Sequence, residues 1–157
     1  MNISEPQRYL GAVDVEALSQ CILSQDVNAW KEQLSRQQSY EVHKDTESIV
    51  MLFCDETWPD GDVHREVGWE RIANQAMPLI NDIIETYYNP GGIVLRAMAA
   101  KLKSGGRINP HTDALQSFHM GHRIHVPITT NEAVRFMIEG KPYKFEVGYA
   151  YEINNQK

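Results

Sequence analysis

The hydrophobic pattern of this chain changes its period once, at Asn89-Pro90-Gly91-Gly92. Upstream, from Trp69 to Tyr88, the apolar residues Ile72, Ala76, Leu79, Ile80, Ile83, Ile84 and Tyr87 recur at helical spacing. That spacing predicts an amphipathic helix, kinked or divided at Pro78, whose ring removes a backbone donor. Downstream the period stays near 2, as in extended strands whose side chains alternate between faces. A helical part over about residues 1–90 and a β-core over about 91–157 predict one mostly-β (α+β) domain spanning 1–157. Its sheet is expected to be closed or doubled, with the helices packed outside.

Shorter segments fit this scheme. Asp14 to Gln25 places Val15, Leu18 and Ile22 on one stripe behind Asp14, a residue suited to capping a helix start. Glu47 to Phe53 is rich in β-branched and large apolar residues, and the turn-forming Trp58-Pro59-Asp60-Gly61-Asp62 follows, so it reads as a strand. Past the break, strands are expected at 93–103, 107–109, 122–129, 134–139, 143–147 and 149–153. Turns at Ser104-Gly105-Gly106, Thr130-Asn131-Glu132 and Gly140-Lys141-Pro142 join them. At 157 residues the chain can bury one core and is short for two ordinary domains.

The formal charge is −6 and the lysines and arginines are dispersed along the sequence, so no basic run of the kind that grips phosphate backbones is present. Nucleic acid is therefore not expected as a partner. No apolar run approaches the roughly 20 residues of a membrane-spanning helix, and the N-terminus lacks a positively flanked apolar stretch. A cytoplasmic protein without a membrane partner is the expectation. Cys21 and Cys54 lie in no CxxC pair, which predicts reduced core residues, not a disulfide or a thiolate metal site.

Four of the six histidines, His111, His119, His122 and His125, fall within residues 108–128. In His111-Thr112-Asp113 an extended backbone points the first and third side chains the same way, bringing an imidazole and a carboxylate together. With one further ligand they would make the two-histidine, one-carboxylate arrangement that suits non-haem Fe(II). The competing reading is a turn in which Asp113 accepts nearby backbone N–H bonds. From His122 to Ile128, Arg123 and His125 share one face and Ile124 and Val126 the other. On a surface strand the charged face would meet water. In a barrel clad with helices the apolar face is buried outward, and Arg123 then points into a cavity where a carboxylate can pair with its fork.

Pro110-His111-Thr112-Asp113, the stretch His122–Ile128 and Glu152-Ile153-Asn154-Asn155 follow in this order between about Gly91 and Asn155. In these segments the chain resembles the aspartyl/asparaginyl β-hydroxylase family of Fe(II)- and 2-oxoglutarate-dependent oxygenases, over roughly its C-terminal two-fifths. The resemblance implies a double-stranded β-helix, the jelly-roll or cupin-like core. It implies His111 and Asp113 as iron ligands, and Arg123 and His125 as residues that hold a carboxylate of the cosubstrate 2-oxoglutarate. The activity it implies is a dioxygenase's hydroxylation of an unactivated C–H bond in an amino-acid or peptide substrate, with 2-oxoglutarate decarboxylated to succinate. In the family a second iron histidine and an arginine for the far carboxylate follow this region, while His43 and His64 lie where it takes no ligands. On that reading the last strands of the core are missing, the truncated chain is expected to be inactive, and an open sheet edge favours a homodimer.

Two other functions compete. A cupin-like module would bind a small anion through Arg123 without redox chemistry. A zinc site at His119, His122 and His125 needs a helix, which Gly121 and the β-branched residues after it disfavour. His119 and His122 are otherwise read as surface or core-edge residues.

Overall fold

The strongest periodic signals fold where the pattern places them. The protein, described here as a computed structural model over residues 3–157, forms one continuous helix at Trp69–Tyr87 and a nine-residue strand at Thr46–Cys54. In chain order its elements are β1 (Gln7–Ala12), α1 (Glu16–Leu23), α2 (Ser35–Ser39), β2 (Thr46–Cys54), β3 (Val63–Arg65), α3 (Trp69–Tyr87) and β4 (Ala97–Leu102). They continue with α4 (Gln116–Met120), β5 (Arg123–His125), β6 (Phe136–Ile138), β7 (Lys141–Tyr143) and β8 (Tyr149–Ile153). A 3₁₀ turn at Glu41–His43 links α2 to β2. The strands pair antiparallel into the sheets β3-β2-β4 and β1-β8-β5 and the hairpin β6-β7.

The largest core forms where α1 and α3 cover β2. Asp14 Oδ1 accepts the Glu16 N–H at 3.0 Å, satisfying one of the orphan donors at the start of α1, and Leu18 and Ile22 are buried. Ile72, Ala73 and Ala76 of α3 meet Ile49 and Met51 of β2 in the same cluster. Each large aliphatic buried there contributes about 1.5–3 kcal/mol. Pro78 sits exposed on the outer side of α3, and the helix runs through it as one element. Gly68 begins that helix against β2, where an added Cβ would lie 2.4 Å from the Val50 carbonyl oxygen.

β8 is the central strand of the second sheet, and its two faces do different work. Ala150 packs with Leu10, Ile124 and Val126 against Ile83 and Leu79 of α3. Tyr151 and Ile153 face the other way, onto Phe136, Ile138 and Phe145 around the hairpin. Gly11 forms a bulge in β1 at φ 144, a conformation glycine adopts readily, with Tyr87 directly over it.

The mixed helix and antiparallel-strand character agrees with the sequence, but the division near residue 90 does not. β2 lies at the strand expected over 47–53, but β1 and β3 are not expected in the helical part, and β1 pairs with β8 from the opposite end. The expected strand at 93–103 begins only at Ala97, 107–109 forms none, and 122–129 shortens to Arg123–His125 ahead of Pro127, which cannot donate to a ladder. The turn expected at Gly140-Lys141-Pro142 is instead Glu139-Gly140, with φ of 49° and 74°, as a two-residue hairpin of right-handed twist requires. Among the described residues the strands form separate sheets and no closed barrel. No described helix is long and apolar enough to cross a membrane.

Candidate functional site

His111 and Asp113 do come together, though not by strand alternation, since residues 106–114 form neither strand nor helix. Two other contacts position them. His111 Nδ1 donates to the Asn109 carbonyl at 2.8 Å, which leaves Nε2 facing Asp113 Oδ1 at 3.9 Å. The Asp113 backbone is tied to the end of β8, its N–H reaching the Asn155 carbonyl at 3.4 Å and its carbonyl accepting from Gln156 Nε2 at 3.2 Å. Asn155, itself buried, also donates to the Phe118 carbonyl at 3.1 Å. Thus the segment after β8 braces the loop. The Asp113 carboxylate bonds the Arg123 guanidinium, in place of the local turn that was the competing expectation.

Arg123 and His125 lie on β5 opposite Ile153 and Tyr151, and so share the hairpin side of the sheet. Ile124 packs on the α3 side, as the alternation predicts. Arg123 donates through Nη1 to Asp113 Oδ2 and through Nε to His125 Nε2 at 3.3 Å. The His125 ring meets the edge of Phe136 at 5.3 Å between centroids. Burial, and then the neighbouring Arg123 charge, push the His125 imidazole down to about 3. It is therefore neutral at ordinary pH and accepts from Arg123.

Three further residues enter the site that sequence reasoning did not assign. Arg36, on α2, places Nη2 3.3 Å from His43 Nε2, and His43 meets the His111 ring edge-on at 6.2 Å. Burial, followed by Arg36, His111 and Arg123, pushes His43 down to about 4. Arg96, just before β4, stacks between Phe53 at 4.9 Å and Phe118 at 4.4 Å and donates to Ser117 Oγ at 2.6 Å. Burial lowers both guanidiniums; the Arg123 charge then lowers Arg36 further, and Asp113 partly offsets the effect on each. Arg96 had a local signal, a charge inside the apolar run Ile93-Val94-Leu95-Arg96-Ala97-Met98, which burial without a partner would make costly. Arg36, in a glutamine-rich stretch, had none.

The other histidines are elsewhere. His119 is on the short helix α4, an element the sequence reading did not foresee. His122 turns to the α3 side, where its Nδ1 lies 2.5 Å from Glu152 Oε1 and its ring stacks on Tyr88 at 4.5 Å. The three histidines of the zinc alternative thus point to three different surroundings. Among the described residues no three His, Cys, Asp or Glu side chains gather closely enough to hold a metal ion. Cys21 and Cys54 are both free thiols. Comparison with protein families, curated proteins and solved structures gives no match to this chain.

Proposed function

We propose that this domain binds 2-oxoglutarate, or a dicarboxylate like it, beside a divalent iron, as a hydroxylating oxygenase of the aspartyl/asparaginyl β-hydroxylase type with a jelly-roll-like core. The observation that carries the proposal is the convergence of His111, Asp113, Arg123 and His125 from a loop and a strand in one contact chain. The donor chemistry fits two positions of a facial arrangement. His111 Nε2 and Asp113 Oδ1 are 3.9 Å apart, and since cis ligands with bonds of roughly 2.1 Å stand about 3.0 Å apart, the pair would close by roughly 1 Å on a metal. The Nδ1 bond to Asn109 and the Arg123 bond to Asp113 orient both ligands from behind, as partners of metal ligands do. Iron bound there would supply Lewis-acid and redox chemistry.

The chain's own residues hold and shield. Arg123, with Nη1 on Asp113 and Nε on His125, keeps Nη2 for a ligand carboxylate, neutral His125 holds the guanidinium in place, and Phe118 and Phe136 pack beside the pair. A second reading, a small-anion binding module without redox chemistry, is favoured by one observation: Asp113 is the one carboxylate paired to Arg123, and three arginines surround it.

Anaerobic calorimetry separates the two. In the oxygenase reading, Fe(II) tightens 2-oxoglutarate binding at least about tenfold, because the cosubstrate chelates the metal, and His111→Ala removes that gain. Equal affinity with and without Fe(II) would leave the binding module.

A further inference from the structure

The charges in this site do not balance. Arg36, Arg96 and Arg123 gather around Asp113, and Glu56 is the one further carboxylate that acts on Arg96. Arg123 has its partner. Arg36 Nη1, Arg96 Nε and Arg96 Nη2, however, are shut off from solvent with no hydrogen-bond partner among the described residues. Orphaned guanidinium donors are expensive, and native proteins retain few of them.

The contacts form an open chain with Arg36 at one end and Arg96 at the other. Arg36 touches His43, His43 meets His111, His111 faces Asp113, Asp113 pairs with Arg123, and both Arg123 and Arg96 lie over Phe118. Arg96 is fixed by Ser117 and two phenyl rings, whereas Arg36 rides on α2, a helix with no buried residue. Arg96 thus has three side-chain partners and Arg36 has one, His43. The contrast with the other buried charge cluster is instructive. Glu152 accepts from Arg8, Tyr88 and His122, so its acceptors are already matched.

We propose that Arg36 and Arg96 form a second carboxylate subsite beside Arg123, so that the site takes a dicarboxylate held at both ends by arginines of this chain. The inference rests on the reading of Arg123 as the partner of the first carboxylate. A carboxylate offers acceptor lone pairs to the three orphan N–H groups and offsets the excess positive charge of the three arginines. A methyl group at the same end of the ligand does neither.

The test is calorimetry on the full chain in chelator-treated buffer with two five-carbon probes, glutarate and valerate, which differ by one carboxylate. Wild type should bind glutarate at least about tenfold more tightly than valerate, as one added charge-assisted pair allows. Arg36→Gln and Arg96→Gln should cut that preference to within about threefold while leaving valerate affinity unchanged. Arg36→Lys keeps the charge without the fork and should fall between. Circular dichroism confirms that each variant is folded; if either glutamine variant is not, Arg36→Lys decides, and a full preference in it counts against the subsite. No preference in wild type, or full preference in both glutamine variants, overturns the proposal. Arg123→Gln should weaken both probes. If it leaves valerate unchanged while Arg36→Gln still abolishes the preference, the subsite stands and the assignment of Arg123 falls.

Discussion

Replacing Arg36 with methionine should make the ligand-free protein more stable, because this arginine is kept at a cost. The side chain has one orphaned, solvent-shielded N–H, and a buried unpaired donor costs about 1–3 kcal/mol. It also feels two other cations. Arg96 and Arg123 lie 4.4 and 5.9 Å from the same Phe118 centroid, so the cluster is compact. Taking about 10 Å for each pair and an effective dielectric of about 20, Coulomb's law gives roughly 1.7 kcal/mol of repulsion per cation pair and a like attraction to Asp113. Two repulsions against one attraction leave about 1.7 kcal/mol unfavourable, and salt screening reduces that to about 1 kcal/mol. The loss on mutation is the bond to His43, about 1 kcal/mol, and little packing, since α2 buries no residue. The balance favours Arg36→Met by about 2 kcal/mol, or a midpoint some 4–8 °C higher for a chain of this length. Thermal unfolding followed by circular dichroism at low and high salt reads it. Added salt should stabilise wild type more than the variant, and glutarate should raise the midpoint of wild type more than that of the variant. A variant less stable than wild type by more than about 1 kcal/mol would show that Arg36 is already satisfied without a ligand, and the reasoning would fail.

Two further outcomes follow from the buried groups. His125 is held down to about 3 and His43 to about 4, both from 6.5, so the folded state binds fewer protons than the unfolded chain below 6.5. Stability is therefore full above about pH 6.5 and declines as pH falls toward 4 and then 3, by at most about 1.4 kcal/mol per pH unit for each group. Urea titrations from pH 7 to 4 measure the slope, and His125→Phe should flatten it; an unchanged slope refutes the assignment. Glu152→Ala should destabilise by about 3 kcal/mol, because it strands Arg8, Tyr88 and His122 around a void in the central strand. The Tyr88 hydroxyl, pushed up by burial, remains a donor across the working range. A loss under 1 kcal/mol by chemical denaturation would mean that water replaces the carboxylate there.

How much of this fold can be read from sequence depends on the range of the interaction that makes each element. α3 and β2 bury their faces through a local period, and both appear where that period runs. β1 carries no such mark: Gln7-Arg8-Tyr9-Leu10 is a strand because β8, from the far end of the chain, supplies its partner. The reverse holds for 107–109, which has strand-like residues and pairs with no strand. Pairing across most of the chain also explains why the boundary near residue 90, sharp in hydrophobic period, has no counterpart in the sheets.

The site divides along the same line. His111, Asp113, Arg123 and His125 were legible because a short motif or one strand face carries each pair, and the fold then joins the pairs through the Asp113–Arg123 bond. Arg36 and Arg96 were not, and their dispersal argued against any positive patch at all. Dispersal in sequence says nothing of distance in space once α2, the start of β4 and β5 meet. What identifies the patch is that some donors of Arg36 and Arg96 lack partners, and that property exists only after folding. An arginine with a partner is part of the structure. One held nearby with buried donors left over, in a site that also gathers an imidazole and a carboxylate, makes physical sense when a ligand brings the missing charge.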